Sequence, residues 1–269
     1  MYEGVLTPVT FFLATVVKLG VFAFFVRVLF FLLGTKLFLF FWQPVFLFVA
    51  AASIVFGALG ALVQTKIKRF IGYTSINQMG YLLVGVSSGD TLGLQAAFLH
   101  LNFYLVAVLS FFSVILYYRR PDTGCEAVFI SQLSQLGRHN WAIAVVLSLT
   151  LFSMAGVPPL AGFFGKFFLF FSAFKAGNHS LLLLALVTNV ISAFYYLRIV
   201  KCIFFEAPKN QKGAPIFVCF FGPSGRDLLY DAGLAAVLLI LILSPFFLNG
   251  LLAVFGAVAV QASFLCIPW

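Results

Sequence analysis

The sequence predicts an all-α polytopic membrane protein of about seven transmembrane helices, one of them broken at Gly156–Gly162. Three observations predict it. Hydrophobic residues make up 63% of the 269 and charged residues 9%, with a mean hydropathy of +1.13. A soluble domain carries roughly 25% charged residues, so this chain lacks the polar surface to clothe a globule in water. Apolar runs of about 20 residues, the length needed to cross the hydrocarbon core, recur from end to end. One of those runs, in FSMAGVPPLAGFFGKFF (152–168), is interrupted by two prolines and three glycines and followed at once by a lysine.

In chain order the spans fall at about 7–33, 41–64, 69–88, 92–118, 141–174, 180–204 and 229–250, within a single membrane domain covering 1–269. The apolar tail 251–262 either continues the last span or turns along the surface. The longer polar stretches, 119–140 and 205–228, are too small for a separate soluble domain. Charge then orients the bundle. Lys66, Lys68, Arg69, Arg119, Arg120, Arg138, Lys201, Lys209, Lys212 and Arg226 collect on one face, whereas Lys36, Lys175 and Asp90 mark the other. That bias is the positive-inside pattern; it puts the amino terminus on the cytoplasmic or matrix side and reads the net charge of +9 as topology. A basic patch with interleaved aromatics outside the membrane is not evident, so nucleic-acid binding is not expected.

The opening MYEGVLTP has an acid and no basic stretch, unlike a secretory or transit leader. With 37 phenylalanines, the composition suggests a biased organelle coding sequence inserted where it is made. Cys125, Cys202, Cys219 and Cys266 are scattered without CxxC spacing, so no disulfide framework or metal site is legible.

Charges inside the spans carry the chemistry. Lys18 lies about ten residues from Pro8 and about fifteen from Gly34. A lysine near a helix centre costs about 2.5–3.5 kcal/mol on insertion scales, and its default meaning is an ion or proton pathway; the structural alternatives are an ion pair or a snorkelled side chain. Lys166 makes the same case. The apolar run Trp141–Lys175 has 35 residues, which as one helix would extend about 52 Å against a core of about 30 Å. Gly156, Pro158, Pro159 and Gly162 resolve the excess as a break: the prolines remove two N–H donors, and the glycines let the chain bend back. Unwound backbone at membrane depth is tolerated where it lines an enclosed or watered cavity, and transporters place ion sites at such breaks. His100 is a third titratable group inside a span, either a relay or a hydrogen-bonding partner for a neighbouring helix. Thr10, Thr15, Asn77, Gln78, Asn102, Tyr104 and Ser153 extend a polar string at mid-membrane, while Arg198 and Lys201 are expected to be interfacial anchors. The sequence has no G-x-S-x-G, P-loop or dinucleotide fingerprint, and all seven acids lie in loops or near span ends. This is a chain that moves a charge.

The segments YEGVLTPVTFFLATVVKLGVFAFFVRV, QTKIKRFIGYTSINQMGYLLVG, LSLTLFSMAGVPPLAGFFGKFFLF and ISAFYYLRIVKCIFFEAP resemble, in that order, the antiporter-like family of subunit 2 of NADH:ubiquinone oxidoreductase (respiratory complex I). The resemblance covers nearly the whole chain. It implies helices 8–14 of a fourteen-helix fold built of two inverted five-helix repeats, with Lys18 as the eighth-helix lysine and Lys166 as the lysine of the broken twelfth helix. The family chain starts seven helices earlier, and its first-half glutamate and lysine have no counterpart here. A separate chain carrying that amino-terminal half is therefore expected against residues 7–33, on the face of Thr10, Thr15 and Lys18. Longer relatives carry two histidines and a lysine on the eleventh helix; here His100 stands with Tyr104 and Val108 at the other two places.

The resemblance implies a proton-translocating membrane-arm subunit of complex I in the mitochondrial inner membrane, organelle-encoded, with its amino terminus on the matrix side. No cofactor is expected in this chain. Flavin, iron–sulfur clusters and quinone belong to other subunits, and the expected neighbours are other membrane-arm subunits and bound phospholipid. The rival reading is a subunit of a multisubunit cation/proton antiporter.

Overall fold

A computed structural model describes residues 2–37, 42–119, 128–134, 136–206, 218–219, 233, 235–236, 239–243 and 246–264. Within them the chain forms α1 (Thr7–Leu37), α2 (Gln43–Val63), α3 (Ile67–Ser87), α4 (Thr91–Tyr117), one-turn α5 (Leu136–His139), α6 (Trp141–Ala155), α7 (Ala161–Lys175), α8 (His179–Phe204) and α9 (Leu248–Phe264). A two-residue antiparallel ladder pairs β1 (Tyr118–Arg119) with β2 (Val218–Cys219). Helices dominate because a chain without water around it must satisfy its backbone polar groups internally.

Four of the helices, over Thr7–Leu29, Gln43–Val63, Thr91–Leu116 and His179–Phe204, are long and apolar enough to cross a membrane. At 21 residues α3 is about 31 Å long, enough to span the core, yet it is markedly more polar than its neighbours. The reason is its position: most of α3 is buried, including Thr74, Ser75, Asn77 and Gln78. Protein on its flanks, not lipid, meets those groups.

The face of α1 that carries Thr10, Ala14, Thr15, Phe22, Val26 and Leu29 is buried in this chain. It packs on α4, where Phe22 meets Phe98 and Phe11 meets Phe112 edge to face. The expectation that Thr10 and Thr15 look outward is thus overturned, since the apolar residues between them at helical spacing turn both toward α4. The outward face of α1 is Val9, Phe12, Val16, Val21 and Phe24.

The long run 141–175 is two helices. Asn140 accepts the Ile143 N–H and caps α6. Gly156 ends it in the left-handed region at φ 86°, a conformation that favours glycine. After Val157, Pro158, Pro159 and Leu160, the chain re-enters helix as α7. Gly162 rests against the last turn of α6 so closely that a Cβ there would lie 1.8 Å from the Ser153 carbonyl oxygen.

The predicted seventh span, 229–250, is described only in part, at 233, 235–236, 239–243 and 246–250. Helix is present at 239–243, a turn falls at 246–247, and the apolar tail forms α9 as a separate helix packed on α4. Of the cysteines, the side chains of Cys125, Cys219 and Cys266 also lie outside the described residues, whereas Cys202 is a buried free thiol donating to the Ile130 carbonyl at 3.5 Å.

Two apolar cores result. One holds Ile67, Phe70 and Ile71 of α3, Phe103, Phe111 and Phe112 of α4, much of α6, and Tyr195, Tyr196 and Ile199 of α8. The other holds Phe22 and Val26 of α1, Ile54 of α2, Leu82 and Val84 of α3, Leu94 and Ala97 of α4, Leu169 of α7, and Leu181 and Ala185 of α8. Between them lie Thr74, Asn77 and Gln78 of α3, His100 of α4, Ser153 in the last turn of α6, Lys166 of α7 and Thr188 and Ser192 of α8, all buried. This polar layer positions the site.

Candidate functional site: a polar layer across the bundle

Lys166 is the best-held charge in the chain. It is 2% exposed, and its Nζ donates to the carbonyls of Met154 and Ala155, both at 2.9 Å, and to Asn189 Oδ1 at 2.7 Å. In an unbroken helix those two carbonyls would accept from the N–H groups four residues on. Those residues are Pro158 and Pro159, which have none. The preceding carbonyls are satisfied within the helix end: the Gly156 N–H donates to Phe152 and Ser153, and the Val157 N–H donates to Phe152. The two prolines therefore orphan the pair of carbonyls that hold the lysine. Gly156 leaves room for it, since a Cβ there would sit 3.1 Å from Lys166 Cδ, and Lys166 Nζ also lies 5.3 Å from the Tyr81 ring centroid. No carboxylate among the described residues forms an ion pair with Lys166.

From Lys166 the layer runs back toward α1. Gln78 Nε2 donates to the same Met154 carbonyl at 3.4 Å. Because that carbonyl only accepts, Gln78 turns its Oε1 to His100, whose Nε2–H donates at 3.0 Å. His100 Nδ1 then carries the free lone pair. It makes no hydrogen bond among the described residues and faces Gly165, where a Cβ would come within 2.9 Å. A cavity of about 10 Å³, lined by Gln78, His100, Tyr104, Ser153 and Gly162 among others, separates His100 from the next link. That is about the room one water needs, beside several polar groups. Beyond it the Tyr104 hydroxyl accepts from Lys18 Nζ at 3.3 Å, and Lys18 also lies 5.3 Å from the Tyr104 ring centroid. Lys18 is only half-buried and lines a cleft of about 640 Å³ together with Glu3, Lys68 and Arg69.

A second polar seam joins α3 to α8. Asn77 Nδ2 donates to Ser192 Oγ at 2.8 Å and to the Tyr195 hydroxyl at 3.2 Å, and the hydroxyls of Tyr81 and Thr188 meet at 3.4 Å. Tyr195 also lines a cleft of about 320 Å³ with Gln64, Thr65, Ser131, Ser134, Arg198 and Glu206. That cleft lies at the basic end, where Glu3 contacts Lys66 and Arg69, Arg198 donates to the Leu62 carbonyl, and Ile67 and Ile130 tie residues 65–67 to 128–130 through backbone hydrogen bonds. The hydrogen bond from Lys66, then that from Arg69, holds the Glu3 carboxyl below its usual value.

Lys18, His100, Gln78, Ser153 and Lys166 thus meet in one layer, as does the break at Gly156, Pro158, Pro159 and Gly162. Asn102 does not: it is exposed, being two residues and about 200° around α4 from His100. Asn189, Tyr81 and the Met154 and Ala155 carbonyls belong to the site without having been singled out. Counting four residues back from each proline names the two carbonyls, and Asn189 follows Thr188 in an otherwise apolar run.

The fold and site define a multi-pass helical membrane protein whose polar layer joins two lysines across a broken helix. Residues 1–192 match the family described as NADH:quinone oxidoreductase/Mrp antiporter, transmembrane, and the chain belongs to that family. It is 44% identical over 207 residues to NADH-quinone oxidoreductase subunit N 1 of Acidiphilium cryptum, covering 77% of this chain and 42% of that protein. It is 40% identical over 211 residues to NADH-ubiquinone oxidoreductase chain 2 of Arabidopsis thaliana, covering 78% and 40%. The chain therefore spans about two fifths of the length of these relatives. Among solved structures, a chain of respiratory complex I from Thermus thermophilus with bound aureothin superposes with a TM-score of 0.65 at 28% identity, covering 78% of this chain and 45% of that one. A chain of the Mrp complex from Dietzia superposes with a TM-score of 0.69 at 22% identity, over 83% and 48%, a likeness of fold alone.

Proposed function

We propose that this chain is a proton-translocating membrane-arm subunit of an NADH:quinone oxidoreductase, the carboxyl-terminal half of subunit 2, with Lys166 and Lys18 as its channel lysines and His100 as a relay. The observation that carries the reading is the seat of Lys166: a buried ammonium held by two carbonyls that a Pro-Pro pair has freed, and connected through Met154, Gln78 and His100 toward Tyr104 and Lys18. A structural lysine has no need of a broken helix.

The proton work follows from this arrangement. Lys166 holds a proton on Nζ in a site with no counter-ion from the described residues, so its hold on that proton depends on charge nearby. Two like charges about 10 Å apart at an effective dielectric of about 20 repel by about 1.7 kcal/mol. That is comparable to the ~2.3 kcal/mol needed to move one charge through 100 mV. A charge arriving near Lys18 thereby favours release from Lys166, and its departure favours recapture. The polar layer positions the water and side chains along which the proton moves. The redox chemistry, with flavin, iron–sulfur clusters and quinone, sits in other subunits in this reading.

The relatives' names support other membrane-arm subunits as partners and, through the plant chains, the mitochondrial inner membrane; the lysine and arginine bias supports the basic end toward the matrix. The half-exposed Lys18 and the outward face of α1 are suited to packing against helices of the subunit's amino-terminal half. The test is Lys166→Ala in the native complex. NADH-driven proton pumping should fall severely while the complex still assembles, and unchanged pumping in a fully assembled complex would overturn the reading. Mass spectrometry of the companion chains separates it from a cation/proton antiporter, which would copurify without flavin and iron–sulfur proteins.

A further inference from the structure

An ammonium has three N–H bonds, and Lys166 meets three acceptors: Met154 O, Ala155 O and Asn189 Oδ1. The set fits the protonated state alone. A neutral amine has two N–H bonds and a lone pair, so one of the three oxygens would face that lone pair with a lone pair of its own. Two of them cannot adjust, since they are backbone carbonyls fixed at the end of α6 and can only accept. Asn189 can adjust. Its amide carries an acceptor and a donor on one flat group of nearly symmetrical shape, and a half-turn about its last side-chain bond exchanges them. The side chain is half-buried, and its Nδ2 donates no hydrogen bond to another described residue, so among the described residues only Lys166 itself sets which way round the amide lies.

We infer that Asn189 is a two-position switch that follows the protonation of Lys166. With Nζ protonated, Oδ1 accepts. On release, one N–H bond of Nζ breaks, the proton passes to a water molecule, and Nζ keeps the electron pair. Asn189 then turns and donates Nδ2–H into that lone pair. All three positions around Nζ are filled in both states, so losing the proton leaves no facing lone pairs in a buried site. Asn189 acts through Lys166 and is a positioning residue. The other groups facing Lys166 do not supply this service: Tyr81 of α3 presents its ring, His100 of α4 is hydrogen-bonded to Gln78 instead, and α6 contributes carbonyls.

This inference rests on the proton-channel reading, and its test separates the two. Asn189→Asp, Asn189→Thr and Lys166→Ala are each made in the native complex. Complex content and the pH profile of NADH-driven pumping are then measured together. Asp accepts but, once ionised, cannot donate, and it adds a negative charge beside the ammonium. Pumping near neutral pH should fall about tenfold and the profile should move to higher pH by about one unit or more. Thr both accepts and donates, and should keep pumping within about threefold of wild type with an unmoved profile. An assembled Asn189→Asp complex with wild-type rate and profile, beside an inactive Lys166→Ala, sinks the switch and leaves the channel standing. An assembled Asn189→Thr complex as impaired as Asn189→Asp also sinks it. Normal pumping by Lys166→Ala removes the channel reading itself.

Discussion

Lys166 and Lys18 are both lysines inside apolar helices, and they are held in opposite ways. Lys166 follows a helix break, is fully buried, and has three strong acceptors from its own chain. Lys18 sits in the continuous helix α1, is half-buried, and has one tyrosine hydroxyl at 3.3 Å. An intact helix spends its carbonyls on its own N–H groups, so α1 has nothing to offer the lysine on its flank. A break releases carbonyls at the depth where a cation needs them. The difference teaches that in a nearly carboxylate-free interior the backbone itself serves as the counter-ion. Lys18 has no such set of acceptors among the described residues.

The comparison breaks most completely if the halves of the broken helix are pushed apart. Gly162→Leu puts a side chain where even a Cβ would meet the Ser153 carbonyl at 1.8 Å. It should abolish the Lys166 seat and most of the assembled complex, as read from complex content on a native gel. Normal content with normal pumping would mean that α6 and α7 need not touch.

Next in size is the double replacement Pro158→Ala, Pro159→Ala. It returns two N–H donors that compete with Lys166 for the Met154 and Ala155 carbonyls. Pumping should drop about tenfold, equivalent to the ~1.4 kcal/mol expected when a hydrogen bond to a charged group is weakened. Amide exchange at the end of α6 should slow at the same time. Full pumping by the double variant would show that the orphaned carbonyls do not matter.

Tyr104→Phe sharpens the other side. It removes the one hydroxyl on Lys18 and keeps the ring. A few-fold loss of pumping is expected, below that of the proline variant, because the Tyr104 ring stays beside a lysine that is only half-buried. A loss as large as that of Lys166→Ala would make the two lysines equals.

The smallest effect belongs to Glu3, an exposed carboxylate that already has two cations. Its carboxyl is held below the usual value by Lys66 and then Arg69. Its contribution is therefore present above the ordinary carboxylate range and lost as pH falls through the lowered value. Glu3→Gln should leave assembly and pumping at neutral pH unchanged. In thermal unfolding the small advantage of the native residue should vanish in acid. An advantage that grew on acidification would reverse the sign.

Much of this was legible in the residues. The apolar excess forces helices, the overlong run 141–175 forces a break, and Gly156 with the two prolines locates it. Lys18, His100 and Lys166 stand out because charge is costly in such a chain. What sequence reasoning missed has physical causes. Sharing a face with Lys18 points Thr10 and Thr15 outward, but Ala14, Phe22 and Val26 on the same stripe carry more apolar area and take that face into α4. Asn102 was grouped with His100 by nearness along the chain, whereas a helix sets residues two apart on nearly opposite sides. Asn189 stayed hidden because a polar residue in a span is informative only once its facing partner is known, and Lys166 lies 23 positions away.

The polar layer lies between two apolar cores, and that sandwich acts as an electrical divider. A voltage across stacked slabs falls mainly across those that polarise least, and greasy side chains polarise far less than amides, hydroxyls and ammonium groups. The membrane potential is therefore shared between the two cores, while the layer from Lys18 to Asn189 lies near a single intermediate voltage. In the proposed function, a proton travelling sideways along it would do almost no electrical work. The work would be concentrated at two thresholds, entry and exit, on either side of the layer in which the broken helix lies.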